Sequence, residues 1–160
     1  MVSASPDLIE TIASVIEDLD ADTTVLERAC AEAVAHDATL LLVAGFDPVS
    51  ARDRARAAET TPELRLGETV LTEAEAYDAV ERARSLAVER GVPLAQGVVV
   101  EGRAVPAVTL VALESQADLI VVGSEGIDTL TGRLFGAVSV RVLRKSRCDV
   151  LVVNDRPAGR

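Results

Sequence analysis

The chain has 160 residues, with 16 basic against 26 acidic side chains and a formal charge of −10 at pH 7, which excludes the basic surface that nucleic acids and anionic membranes recruit. Apolar residues make up 49%, yet there is no Trp, one Tyr (Tyr77) and two Phe, so a single domain over residues 1–160 with a core of Val, Leu, Ile and Ala is expected. No apolar run approaches the roughly 18 residues of a membrane helix and no signal sequence opens the chain, which points to the cytoplasm.

Ser5-Pro6-Asp7 forms a helix opening, with a hydroxyl cap, a proline and an acid. Leu8, Ile9, Ile12, Val15, Ile16 and Leu19 continue from it at helical spacing. An amphipathic helix follows over Thr24–His36, with Val25, Leu26, Ala29, Cys30, Ala33 and Val34 on one face. Thr39–Phe46 is an apolar strand that Asp47-Pro48 ends. Residues 49–71 show no firm apolar period and read as a solvated loop or insertion, a partner-binding loop being the other option. Thr72–Arg90 is a helix with Ala76, Val80, Ala83, Ala87 and Val88 inward, and Gly91 ends it ahead of Pro93. Gln96–Val100 is a short strand, and Glu101-Gly102 turns into a helix over Ala104–Gln116 with Pro106 in its first turn. Such alternation calls for a parallel sheet with helices on both faces.

The stretch from Asp118 to Asn154 carries the strongest pattern. Leu119–Val122 is an apolar run bounded by Asp118 and Gly123, as a strand buried on both faces requires. Gly126 follows at the third position, then nine residues, then Gly136, and a second apolar run covers Val150–Val153. Val138, Val140 and Val142 alternate with period two, so residues 136–145 alone fit a strand as well as a helix. The glycines alone fit ordinary loop turns.

Together, strand, G-x-x-G, nine residues, glycine, helix and strand resemble the signature of the universal stress protein family. The resemblance covers nearly the whole chain and is firmest from Thr72 onward. It implies an open five-stranded parallel sheet of the Rossmann-like (HUP) type in the order 3-2-1-4-5. It makes residues 136–145 a helix, and it requires a central strand at about Thr11 to Glu17 after a short helical lead-in. It also implies a crevice for AMP or ATP, with Mg only if a triphosphate is bound. The residues it assigns are Asp20, Val43 (backbone to adenine), Val122, Gly123, Ser124, Gly126, Gly136, Ala137, Val138 and Ser139. Backbone N–H groups and a helix N-terminus favour an anion there. Two residues depart from the family pattern: Ala137 stands where a hydroxyl is usual, and Glu125 stands between the first two glycines, with Arg133 able to offset it.

By the same resemblance the chain is a regulatory module rather than an enzyme, with an unidentified protein partner. It dimerises through the last strand, Val150, Leu151, Val152 and Val153, whose uncharged, proline-free edge invites pairing. The inventory of reactive groups is thin. His36 is the only histidine, and Cys30 and Cys148 lie far apart, so zinc lacks ligands and both cysteines read as small buried hydrophobes in a reducing compartment. Fifteen Arg and a single Lys, Lys145, suit a salt-rich cytoplasm, and GC-rich coding would give the same look. Two other readings stay open: a nucleotide-free dimeric interaction module of the same fold, and an adenylyl-transferring enzyme of a related class.

Overall fold

Strand and helix alternate along the computed structural model, which describes residues 8–17, 23–48, 53, 56, 71–124 and 137–154. The order is β1 (Thr11–Val15), α1 (Thr23–His36), β2 (Thr39–Phe46), α2 (Glu73–Glu89), β3 (Leu94–Glu101), α3 (Ala104–Glu114), β4 (Leu119–Gly123), α4 (Ala137–Lys145) and β5 (Asp149–Val153). The five strands form one parallel sheet in the order β3-β2-β1-β4-β5.

The first strand forms against its local pattern. Leu8–Glu10 are not helical, and Thr11–Val15 pair with Thr39–Val43 on one side and with Leu119–Val121 on the other. Helical spacing loses here because both strand edges gain a ladder and both faces are covered: Ile12, Ala13 and Val15 are all buried. Ser5, Pro6, Asp7 and Leu19, which framed the helical reading, lie outside the described residues. The period-two valines of α4 settle the other way, with Val142 fully buried beneath the helix and Arg144 and Lys145 at its carbonyl end.

Alternate residues of each strand feed two core layers. Ile12, Leu40, Leu42 and Val121 meet α1 and α2, whereas Ala13, Val15, Leu41, Val43, Ile120 and Val122 meet α3 and α4. The inner stripe of α2 is Ala76, Val80, Ala83 and Ala87; Val88, expected there, is 60% exposed, because one residue beyond Ala87 is a rotation of about 100°. Val34 on α1 is 48% exposed for the same reason, standing one residue past Ala33. Cys30 is buried on α1, in a recess that Glu27 and Arg90 also line, and those two form a 2.8 Å ion pair.

One side chain ties the two halves of the sheet together at their amino edge. Asp118 Oδ2 accepts the N–H groups of Glu10 (2.9 Å) and Thr11 (3.0 Å), and the Asp118 N–H donates to the Thr11 carbonyl at 2.9 Å. The helices enter those strands through one repeated device. After α1, α2 and α3 a residue in the left-handed region turns the chain: Asp37 (φ 54°), Gly91 (φ 82°) and Gln116 (φ 53°). The next N–H then reaches back into the helix, Ala38 to Ala33 at 2.9 Å, Val92 to Ala87 at 3.0 Å and Ala117 to Ala112 at 2.8 Å, which is the Schellman arrangement. At the opposite end of α2, Thr72 and Glu75 form a reciprocal capping box.

Two outcomes are expected from this packing. Gln116 adopts a conformation that glycine takes without strain, so Gln116→Gly raises stability by about 1 kcal/mol in urea unfolding, whereas Asp37→Gly gains less because Asp tolerates that region. Burial pushes the Cys30 thiol up to about 11 against the pull of Arg90, with Glu27 adding to the rise. The unfolded chain therefore releases this proton first, and its contribution to stability is lost as pH climbs from about 9 to about 11. Cys30→Ala should flatten that alkaline decline in the urea midpoint, while leaving the slope below pH 8 unchanged.

Candidate functional site

In an open parallel sheet the order reverses where chain connections leave in opposite directions, and a crevice opens at the carboxyl ends of the two strands involved. Here those strands are β1 and β4. The crevice is bounded by Ile16 and Glu17 after β1, by Gly123 and Ser124 at the end of β4, and by the end of β2. Helix α4 begins on this same edge, since it runs back to the amino edge before β5. Its first turn carries no acidic side chain, and the amide groups at its start give the helix a positive end.

The expected residues divide into three groups. Val43, Val122, Gly123 and Ser124 gather at the ends of β2 and β4. Ala137, Val138 and Ser139 form the first turn of α4. Asp20, Gly126 and Gly136 lie outside the described residues, as do Glu125 and Arg133.

Within the first group the backbone is already partly committed. The Val43 carbonyl accepts the Ile16 N–H at 2.8 Å, and both Val43 and Val122 turn fully buried side chains into the layer under α3 and α4. Ser124 is buried, and its N–H donates to the Val153 carbonyl at 2.9 Å, carrying the β4–β5 pairing one residue further. Gly123 is the position where the strand ends without a side chain in the way.

Two residues that the sequence reading passed over shape the same edge. Backbone groups alternate sides along a strand, so Gly45, two residues after Val43, turns its N–H and carbonyl toward the β1 side, past the point where β1 has ended. Leu71 enters that lane: it bridges Phe46 in parallel, and its carbonyl accepts the Asp47 N–H at 3.0 Å. Gly45 also admits the turn into α3. A Cβ at this position would overlap the Gly102 carbonyl and lie 2.9 Å from the Arg103 carbonyl carbon. The available signal was the one glycine in T-L-L-L-V-A-G-F; nothing in the sequence marks Leu71.

The donors described suit a phosphate. They are amide groups at the start of a helix beside a side-chain-free strand end, with apolar side chains beneath. His36 is at the far edge, at the C-terminus of α1 and 3.6 Å from Glu32.

Comparison with known proteins gives a consistent picture. The family described as "Universal stress protein family" matches residues 9–154. A universal stress protein of Mycobacterium tuberculosis strain H37Rv is 31% identical over 135 residues, 84% of this chain and 89% of that protein. A universal stress protein solved in complex with cAMP superposes with a TM-score of 0.72 at 29% identity, over 94% of this chain and 100% of that one. The Archaeoglobus fulgidus universal stress protein, solved in complex with dAMP, shares the fold at 18% identity, with a TM-score of 0.63 over 91% of this chain and 98% of its own.

Proposed function

Because this chain belongs to the universal stress protein family, we propose that it is an adenine-nucleotide-binding regulatory module with no chemistry of its own, and that it holds a nucleoside monophosphate in preference to ATP. The observation that carries this reading is the whole-chain likeness, at 29% identity, to a universal stress protein in complex with cAMP. The adenine lies at the carboxyl end of β2, where the Gly45 N–H rather than Val43 offers backbone, and the phosphate lies against the strand end at Gly123. A single phosphate needs no more. A triphosphate reaches on toward Ala137, which lacks a hydroxyl, and toward Glu125, whose carboxylate repels it. At about 4 Å that repulsion is roughly 1 kcal/mol in water and several times more near a protein surface. The module acts in the cytoplasmic stress response through a protein partner, with Mg following only a triphosphate.

A second reading, a nucleotide-free dimeric interaction module, is favoured by the Val43 carbonyl, which is already bonded to Ile16. Calorimetry separates the two. AMP and cAMP should bind, with ATP weaker by about tenfold to a hundredfold than in the Ala137→Ser, Glu125→His variant, the worth of one hydrogen bond to a charged group. On addition of AMP, the Gly45 amide resonance should shift more than that of Val43. Tight ATP binding by the unmodified chain, or no gain in the variant, removes the monophosphate preference; no binding of any adenine nucleotide favours the second reading.

Both readings include a two-fold dimer through β5. Among the described residues this strand pairs only with β4, and Val150, Leu151, Val152 and Val153 are half-buried along it. An unpaired edge of this composition joins readily to its copy. Light scattering is expected to give a dimer that becomes monomeric when Leu151 and Val153 are both replaced by Lys.

A further inference from the structure

A groove of about 580 Å³ opens at the other end of the molecule from the nucleotide crevice, between α3 and the turn that joins α4 to β5. Its size is that of a small-molecule site. Pro106, Leu110, Leu113 and Cys148 line it, and Leu110 and Leu113 are 44% and 56% exposed, an unusual outlay of leucine on a helix face that no described element covers. Lys145 and Arg147 stand at its rim. Among the described residues neither has an ion-pair partner, nor do Arg82 and Arg144, whereas Arg28, Arg84 and Arg90 are paired with glutamates. Two unpaired cations side by side on a chain of charge −10 mark a place where a negative group is wanted.

The topology gives the groove a direction. Helices α3 and α4 both run against the strands, so their carboxyl ends lie together at the amino edge of the sheet. Lys145 and Arg147 therefore sit at the Gln116 end, and Pro106 lies up α3 from it. From Pro106 to Ala117 the groove follows roughly 15 Å of helix. The partial charge at each helix carboxyl end, about −0.5, opposes an anion here. Two full positive charges face these partial charges and the Asp149 and Asp118 carboxylates near Cys148; the Asp118 carboxylate also accepts the Glu10 and Thr11 amides, and the last carbonyls of α3 are bonded by the turn at Gln116.

We propose that this groove binds an amphiphilic carboxylate, a straight aliphatic acid of about ten carbons by the length available, with its chain along Leu110 and Leu113 and its carboxylate on Lys145 and Arg147. The site is independent of the nucleotide crevice and needs no nucleotide to form.

Sodium decanoate, kept below its micellar concentration, is the probe, and Cys148 is the reporter. Burial raises its thiol, with Asp149 and Asp118 adding to the rise, so alkylation by iodoacetamide at mildly alkaline pH is slow and measurable by mass spectrometry. Decanoate should bind in calorimetry and slow alkylation of Cys148 several-fold without changing that of Cys30. Lys145→Gln with Arg147→Gln should weaken binding by about tenfold or more, and Leu113→Asp, at an exposed position that leaves the fold intact by circular dichroism, should abolish it. Protection of Cys148 by decanol or decyltrimethylammonium equal to that by decanoate would overturn the proposal. So would an unprotected Cys148, or undiminished decanoate affinity in the double variant.

Discussion

The seam between β1 and β4 is the constraint on which the rest of the molecule depends. Residues Thr11–Val15 and Leu119–Gly123 are distant in sequence, yet three register pairs, Ile12 with Leu119, Ala13 with Ile120 and Ser14 with Val121, join the β3-β2-β1 half of the sheet to the β4-β5 half. Asp118 clasps the amino end of that seam, and each bond from a backbone amide to its carboxylate is worth roughly 1.5–3 kcal/mol where it is shielded from water. Ser14 works against it, since its hydroxyl is fully buried within the seam and has no hydrogen-bond partner among the described residues, which costs about 1–3 kcal/mol. The crevice is the carboxyl end of the same seam.

Much of this architecture was legible because it rests on local chemistry. Gly91 ahead of Pro93 announced the end of α2, since a left-handed turn depends on the residue that makes it. The apolar run Leu119–Val122 announced a strand covered on both faces. Thr11–Val15 was different: its apolar residues satisfy helical spacing and a doubly buried strand alike, and only pairing with residues more than a hundred positions away decides between them. Residues 136–145 posed the same ambiguity and settled as a helix. In both places the likeness to a known family supplied what local physics withheld.

The candidate site was legible in outline and less so in register. The resemblance marked Val43, but which backbone group faces the crevice depends on where β1 stops, and that is set by sheet pairing rather than by any residue near Val43. Leu71 was illegible for a related reason: its place beside Phe46 is a pairing between residues well separated in sequence. Inward and outward valines were misjudged by a single position at Val34 and Val88. A face of valines is continuous in sequence, while the stripe that a helix buries narrows to alanine where it lies close on the sheet.

The distance of the seam along the chain also shapes the order in which the molecule can be made. Thr11 and Asp118 are 107 residues apart, so at a synthesis rate of roughly 5–20 residues per second the β4-facing edge of β1 waits on the order of 5–20 s before its partner leaves the ribosome. Through that interval β1, α1, β2, α2 and β3 can assemble among themselves, with Ile12, Ala13 and Ser14 at an open border. A strand with no charge in its centre, held unpaired in a crowded cell, is a natural client for a chaperone. The nascent half-sheet, rather than the finished protein, is then where this fold is most exposed to misassembly.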